Sequence, residues 1–313
     1  MKTLKIHFLA TTVFLGLTLV FWGCGSSENS QTEKTQLAEK TENLSETNQT
    51  NKAENQEEEE SDEIDLAKEE PVDQFPFLLK PNPIDDFTWE VSGNLVTIIK
   101  CKASGKVVLP KVIAGFPVGR IGSLVSDANT LPRQFSEGNA IPDGVTALVL
   151  PDSLKSIGDG AFYGCKSLTR LKMPNEVASV GKYAFYGCEN LRSVTIGTGL
   201  TSIGDGAFYG CSRLTEPVLP DSLTYIGQKA FEGCSSFTGI TLPVAVNSIA
   251  GSAFNGCPRL ASISVSEKNP TFSSEEGVLL NKARQLVLRC PQGKNGAYEV
   301  PASVTHVGDA AFH

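Results

Sequence analysis

The sequence predicts a mainly β solenoid, in which short coils of equal length stack around one continuous core. The first observation is a five-residue phrase, Ala-Phe-x-Gly-Cys, that returns every 23 residues. The second is an apolar residue five positions before each phenylalanine and another three positions after each cysteine. A fixed period of this kind is typical of stacked units, none of which can bury its apolar face alone. The copies are Ala161–Cys165, Ala184–Cys188, Ala207–Cys211, Ala230–Cys234 and Ala253–Cys257.

One unit shows what each coil contributes. Leu168, Leu171 and Met173 follow a Leu-x-x-Leu-x-Leu spacing, so the last two lie on one side of a short strand. Pro174 ends the strand because proline has no amide hydrogen to donate. Val180 returns to the core before the Ala-Phe pair, which is expected at the back of the coil. Each turn should therefore add one strand to a parallel sheet, with neighbouring strands roughly 4.8 Å apart.

These repeated residues resemble the BspA-like, Treponema-type branch of the leucine-rich repeats. The matching motif is Leu-x-x-Leu-x-Leu-Pro, then Ile-Gly, then Ala-Phe-x-Gly-Cys, and it covers about Phe87 to Phe312. The resemblance implies a curved, right-handed leucine-rich-repeat solenoid with short irregular or 3-10 segments and a parallel β-sheet on its concave face. It also implies a surface lipoprotein that serves adhesion or protein binding. That functional implication is weaker than the fold, because one fold hosts many functions.

The phenylalanines and cysteines of the phrase are predicted to form a structural ladder inside the core. Zinc ligands converge on a point, whereas one cysteine per turn forms a line, so no metal site is expected. Free thiols are predicted, although neighbouring turns lie within the Cα range of a disulfide. No role is assigned to Cys101 or Cys290. The ladder residues are Phe162, Phe185, Phe208, Phe231, Phe254, Cys165, Cys188, Cys211, Cys234 and Cys257.

The N-terminal part of the body departs from the period. Domain 76–144 is expected to contain a capping β-hairpin over Phe87–Lys100, followed by a degenerate repeat over Val107–Gly122. The place of the missing phrase is taken by a polar insertion, Ser123–Ile141. An atypical first unit is what a solenoid needs to cover its open apolar end. Regular repeats then occupy 145–266.

The C-terminal part, residues 267–313, is irregular as well. A β-hairpin inserted around Gly277–Arg289 delays the return of the phrase to Ala311-Phe312. The chain then stops inside an incomplete repeat. We interpret it as a truncated relative of a longer protein, with a fraying last coil as the alternative.

Residues 1–24 are interpreted as a lipoprotein signal peptide. Two lysines precede an apolar run of about 15 residues, shorter than the roughly 20 needed to span a bilayer. The segment resembles a lipobox, with cleavage between Gly23 and Cys24 and a covalent lipid on Cys24. Phe21 and Trp22 depart from the residues usual in that motif, so a plain secretory signal and an uncleaved anchor stay open. No other cofactor is expected.

Residues 25–75 are predicted to be a disordered acidic linker. Residues 25–70 hold 15 acidic and 4 basic side chains and no aromatic ring. Such a composition cannot bury enough apolar surface to offset the entropy of ordering. We interpret the linker as a spacer, with binding of cations or a basic partner as the alternative. Residues 71–313 are nearly neutral, with 21 basic and 20 acidic side chains, so nucleic-acid binding is not expected.

The sequence predicts no enzyme and no catalytic residue. Only His306 and His313 would remain after signal removal, and both lie in the irregular end. The chain has no Gly-x-Ser-x-Gly elbow, no His-Glu-x-x-His and no phosphate-binding loop. No small-molecule substrate is expected, which leaves protein binding as the function class.

The predicted binding face consists of outward strand positions on the concave sheet. Most are small and uncharged, with one basic turn, which suits an extended protein partner. Pro217 stands at an inward position, where it removes one donor and predicts a local weakening or bend. Tyr163, Tyr186 and Tyr209 are interpreted as half-packed repeat residues, with a ligand stripe as the alternative. The candidate face comprises Arg170, Lys172, Ser193, Thr195, Glu216, Val218 and Thr241.

Two functional hypotheses follow from this reading. The first is a lipid-anchored adhesin or receptor at the outer membrane or cell surface. For it, the resemblance suggests host extracellular-matrix or plasma proteins such as fibronectin and fibrinogen. The second is a periplasmic structural or scaffolding lipoprotein that faces the cell interior and organises other envelope components.

Overall fold

The computed structural model describes the backbone of residues 5–7 and the complete residues 80–122, 139–309 and 311–312. Gly23 and Cys24, the acidic linker and most of the polar insertion lie outside the described residues. The described residues belong to one compact unit. None of the helical structure in the described ranges is long and apolar enough to cross a membrane.

The described residues form a parallel β solenoid of about nine turns with one short 3-10 helix, Ile84–Asp86. The strands are β1 (Lys5–His7), β2 (Phe87–Ser92), β3 (Leu95–Cys101), β4 (Gly105–Val108), β5 (Val112–Ile113), β6 (Phe116–Ile121), β7 (Val145–Val149), β8 (Ser156–Ile157), β9 (Arg170–Lys172), β10 (Ser179–Val180), β11 (Ser193–Thr195), β12 (Ser202–Ile203), β13 (Tyr225–Ile226), β14 (Gly239–Leu242), β15 (Ser248–Ile249), β16 (Ser262–Val265), β17 (Phe272–Glu275), β18 (Val278–Asn281), β19 (Leu286–Arg289), β20 (Ala297–Glu299) and β21 (His306–Val307).

The predicted parallel sheet is present, and we call it the front sheet. It contains β4, β7, β9 and β11 in one block and β14 with β16 in another. The strands pair in register one repeat apart, so that Leu171 lies beside Val194. Both of these side chains are buried, while their neighbours along each strand point outward. The Leu-x-x-Leu-x-Leu spacing therefore places strands where the sequence predicted them.

A second parallel sheet, which we call the side sheet, was not predicted. It runs through β6, β8, β10, β12, β13 and β15, most of them two residues long, and continues to the N-terminal strands β3 and β2. Ile157, Val180 and Ile203 pair in register along it and are buried. The expectation of one strand per turn was therefore too low. Two residues cannot display an alternating pattern, so the recurring apolar residue five positions before each phenylalanine did not identify these segments as strands.

The Ala-Phe-x-Gly-Cys segments form what we call the back turns. The amides of the first four phenylalanines each donate to the carbonyl of the alanine one repeat later, as Phe162 does to Ala184 at 2.7 Å. The glycine amide repeats this contact, as Gly164 does to Tyr186 at 2.7 Å. The phenylalanine rings stack, with Phe185 and Phe208 centroids 5.0 Å apart. Main-chain bonds and ring contacts thus join successive coils at the back.

The N-terminal hairpin is present. Strands β2 and β3 pair antiparallel around the turn at Gly93, and β3 pairs parallel with β6. The degenerate repeat follows, and its Ile121 aligns with Ile157 of the first regular repeat. Ile98 and Ile121 are buried, so the hairpin extends the common core.

The C-terminal insertion is larger than predicted. Strands β17, β18 and β19 form two consecutive hairpins instead of one, and β21 pairs parallel with β19. The first turn is Glu276-Gly277, with φ angles of 48° and 80°. The sequence of β17, Phe-Ser-Ser-Glu, has one apolar residue, which explains why the strand was missed. A separate small core lies beneath these strands, around Val278, Leu280 and Tyr298.

Strand β1 lies in the segment interpreted as a signal peptide. It pairs antiparallel with β20, with Ile6 opposite Tyr298. This contact belongs to the full-length chain, before any processing of residues 1–24.

Candidate binding surface

The outward positions of the front sheet carry mostly small side chains. Ser193 and Thr195 of β11 are exposed, as is Thr241 of β14. Their inward neighbours Val194 and Ile240 are buried in the core. The period of two along each strand thus separates a packed inner face from an accessible outer one.

One strand of this face is basic. On β9, Lys172 is exposed and Arg170 is half-buried. In register, Arg170 lies between Ala147 and Ser193, so its neighbours on both adjoining strands are uncharged. Strand β9 therefore places two positive charges on a surface of mostly small side chains.

The front sheet is interrupted at Pro217. The prediction of strand positions at Glu216 and Val218 was wrong, because residues 215–219 form no strand. Proline cannot donate the ladder hydrogen bond, and its buried ring occupies the inward position. Both predicted residues still point outward, and Val218 is 85% exposed. The predicted weakening therefore appears as a gap between two blocks of the sheet.

The main-chain bonds show how far this gap extends. The Thr215 amide donates to the Arg192 carbonyl at 2.9 Å, and the Ala261 amide donates to the Thr238 carbonyl at 2.9 Å. The equivalent bond from the Thr238 amide to the Thr215 carbonyl, both described residues, does not form. The carboxyl of Glu216 instead lies 3.5 Å from the point where a β-carbon on Gly239 would stand.

The ladder side chains lie inside the molecule, away from this face. The five phenylalanines and five cysteines are all buried, with at most 2% of any of them exposed. The thiols donate to main-chain carbonyls of the preceding coil, as Cys188 Sγ does to Phe162 O at 3.1 Å. Burial raises the pKa of Cys211 and Cys234, and it raises the pKa of Cys257 to about 11. These thiols are therefore neutral near pH 7 and unreactive as nucleophiles.

Nothing in the described ranges resembles a metal or catalytic cluster. No group of three His, Cys, Asp or Glu side chains within them is placed to hold a metal ion. His306 is exposed, and its Nδ1 lies 2.8 Å from the Thr305 hydroxyl. The seven described cysteines are free thiols.

A second surface feature lies on the back turns. The rings of Tyr163, Tyr186 and Tyr209 stack, with centroids 4.8 and 4.7 Å apart. Sequence reasoning missed Tyr183, whose ring meets Tyr186 edge-on with centroids 6.0 Å apart. Tyr183 stands one residue before its Ala-Phe pair, where Gly160 and Gly206 stand in the neighbouring repeats. That exchange of glycine for tyrosine is the signal that could have identified it.

Comparison with known proteins identifies the same type of repeat. The family model described as a BspA type leucine-rich repeat region matches residues 143–261 in six copies. A solved leucine-rich repeat protein of T. pallidum is 30% identical, with 59% of this chain and 71% of that chain covered and a TM-score of 0.43. A leucine-rich repeat protein of Bacteroides ovatus is 25% identical, covering 74% and 56%, with a TM-score of 0.53.

A third solved structure shares the fold. It is a leucine-rich repeat protein of Eubacterium ventriosum, 23% identical, with 70% of this chain and 52% of that chain covered and a TM-score of 0.51. The chain thus spans only about half the length of the last two proteins. No curated protein matches it.

Proposed function

Since the chain belongs to the BspA-type leucine-rich repeat family, whose solenoids generally serve protein binding or adhesion, we propose that its front sheet binds an extended protein partner. The observation that carries the proposal is the outward row of the front sheet. Small side chains on β11, β14 and β16 leave the sheet open to a partner lying across it. Repeat solenoids use extended surfaces of this kind to bind protein.

Charge supports a partner with an acidic segment. Arg170 and Lys172 lie on one strand, and the residues in register with Arg170 on the adjoining strands are uncharged, so this strand gives the front sheet a local positive charge that carboxylates of a partner would complement. Charged groups of this kind mainly set association rate and orientation. Host matrix and plasma proteins such as fibronectin and fibrinogen are the partners that we propose to test first.

We place this binding at the cell surface. A lipid on Cys24 would hold the chain in the membrane, and residues 25–75 would act as an acidic spacer between the membrane and the solenoid. Their like charges repel one another and favour extended conformations. The proposal requires no catalytic residue, no metal and no nucleic acid.

The binding test compares charge reversals of equal size on two faces. The double variant Arg170→Glu/Lys172→Glu should bind immobilised fibrinogen or fibronectin at least roughly tenfold more weakly than the full chain, and added salt should narrow the difference. The control Lys155→Glu/Lys166→Glu changes exposed lysines away from the front sheet and should bind like the unaltered chain. Equal affinity of both double variants would place the site elsewhere.

The location test uses intact cells. The mass of the mature protein should equal a chain that begins at Cys24 and carries lipid, and external protease should remove the solenoid. A lipidated protein that resists protease until the outer barrier is permeabilised would instead support the periplasmic scaffold. An unlipidated mass would contradict the anchor.

A further inference from the structure

The back turns carry an aromatic surface that lies apart from the front sheet. We call Tyr163, Tyr183, Tyr186 and Tyr209 the tyrosine stripe; all four are half-buried. The planes of the three stacked rings differ by only 2° and 8°. Their faces therefore cover one another, and the ring edges point away from the stack. A ligand that lies along the stripe meets ring edges in a row.

One residue of the stripe, Tyr183, has an unfavourable backbone conformation. Tyr183 has a φ of 54°, a conformation that bulky residues rarely adopt. At the same position of other repeats, Lys229 has a φ of 55°, and Gly160 and Gly206 have φ of 60° and 58°. A β-carbon on Gly206 would lie 2.6 Å from the Tyr183 ring, so this glycine also leaves room for the ring. Strained residues of this kind persist where the surrounding structure holds them, and they are frequent at binding sites.

A strip of bare main chain lies beside the rings. Each stacked tyrosine is followed by a glycine, and Gly164 and Gly187 have φ of 69°. That conformation explains the glycines, since other residues would be strained there. The consequence is open space: a β-carbon at either position would meet nothing within 4 Å. An extended chain can therefore lie against the ring edges with the main chain as its floor.

The charges around the stripe are paired. Lys182 lies 3.7 Å from Asp205, Lys229 lies 3.5 Å from Glu232, and Lys166 lies 2.9 Å from Glu189. These pairs add no net charge beside the stripe, which favours an uncharged ligand.

We propose that the tyrosine stripe binds an uncharged, proline-rich segment in the polyproline II conformation, lying parallel to the stack. Such segments dock on aromatic-lined surfaces because their conformation is already extended and loses little entropy on binding. The two ring steps of 4.8 and 4.7 Å place Tyr163 and Tyr209 about as far apart as one polyproline II turn, roughly 9.3 Å. A proline ring of the ligand can thus return to an equivalent place on the stripe after each turn of the polyproline II helix.

The probe is a synthetic peptide of ten prolines, titrated into the full chain by calorimetry, with a glycine-serine peptide of equal length as the negative control. Saturable binding of decaproline alone is expected, with shifts of tyrosine ring signals in NMR spectra. Absence of binding, or equal binding of both peptides, overturns the proposal. Preferential binding of a neutral β-1,4-glucan oligomer overturns it in favour of a carbohydrate site.

The variants use residues that the chain itself places at equivalent positions, so that the fold is kept. Tyr186→Asn copies Asn255 and should weaken decaproline binding roughly tenfold, as truncation of an aromatic anchor does. Tyr183→Gly copies Gly206 and should weaken binding without lowering the melting temperature, because it relieves the strained turn. Tyr225→Ser copies Ser202 on the side sheet and should bind like the unaltered chain. Unchanged affinity in Tyr186→Asn overturns the proposal even if decaproline binds.

Discussion

The contacts between successive coils are continuous along the back turns but interrupted in the front sheet. At the back, main-chain hydrogen bonds and stacked rings follow one another from Phe162 to Phe254 without a break. At the front, the ladder stops after β11 and resumes only at β14. Both regions belong to coils of equal length, so the period alone does not explain the difference.

This difference shows what the period preserves. The strictly repeated residues are those whose contacts pass from one coil to the next inside the core, and each serves the scaffold. The outward front residues change from repeat to repeat, from Arg170 through Ser193 to Glu216, because they lie outside the packed core. Variation that a scaffold tolerates is where a binding function can be encoded.

Removing one ring from the back ladder should have the largest effect. Phe208 is buried between Phe185 and Phe231, with ring centroids 5.0 and 5.3 Å away. Phe208→Ala should lower the free energy of unfolding by about 3 to 5 kcal/mol, through lost transfer energy and the cavity left behind. Chemical denaturation measures this change. The front variant Ser193→Ala should change the free energy of unfolding by no more than about 0.5 kcal/mol. Equal losses in both variants would contradict the difference between the back turns and the front sheet.

High pH should weaken the back ladder selectively. The folded chain raises the pKa of Cys257 from 9.0 to about 11 by burial, so it favours the neutral thiol. The resulting stabilisation is complete below about pH 9 and is lost as the pH rises towards 11. For this thiol the loss is of order 2 kcal/mol.

Denaturation curves at several alkaline pH values test this loss. Other groups ionise in the same range, so the informative quantity is the difference from Cys257→Ala. The variant should lose less stability between neutral and alkaline pH than the unaltered chain. If the free energy of unfolding of both chains changed with pH in the same way, burial of the Cys257 thiol would not raise its pKa as the structure indicates.

Restoring a strand across the front gap should have the smallest effect on the free energy of unfolding, and it should increase it. Pro217→Val restores a ladder donor and copies Val194 of the preceding strand. New hydrogen bonds worth about 1 kcal/mol each are partly offset by the greater freedom of the unfolded chain, so a net gain near 1 kcal/mol is expected. Pro220→Val, just past the strand position, is the control and should give no gain. A loss in Pro217→Val would contradict the account.

Much of this fold could be predicted because the same pattern of apolar and turn residues occurs in five repeats. The front strands, the back turns and the N-terminal hairpin all follow from apolar spacing and turn residues. The side sheet could not be predicted, since a pair such as Ser179-Val180 is too short to show a pattern. Strand β17 was missed for a related reason: its pairing depends on the turn at Glu276-Gly277 and not on its own residues.

The candidate surface was predictable in part. Alternation along β9 and β11 identified their outward residues, and Pro217 marked the weak turn. Its extent, from Thr215 to Thr238, depends on hydrogen bonds between coils and is visible only in the structure. Tyr183 does not follow from the repeated residues, because it stands where the neighbouring repeats carry Gly160 and Gly206.

Amide hydrogen exchange tests the central claim, that one continuous ladder at the back supports an interrupted sheet at the front. Within the coil that contains Pro217, the account predicts slow exchange for the Phe208 and Gly210 amides, which donate at 2.7 and 2.8 Å, and fast exchange for the Val218 amide. The Met173 amide, just after β9, donates to the Thr195 carbonyl of β11 at 2.8 Å, so it should exchange slowly and serves as the control for an intact front sheet. A Val218 amide as protected as that of Phe208 would contradict the account.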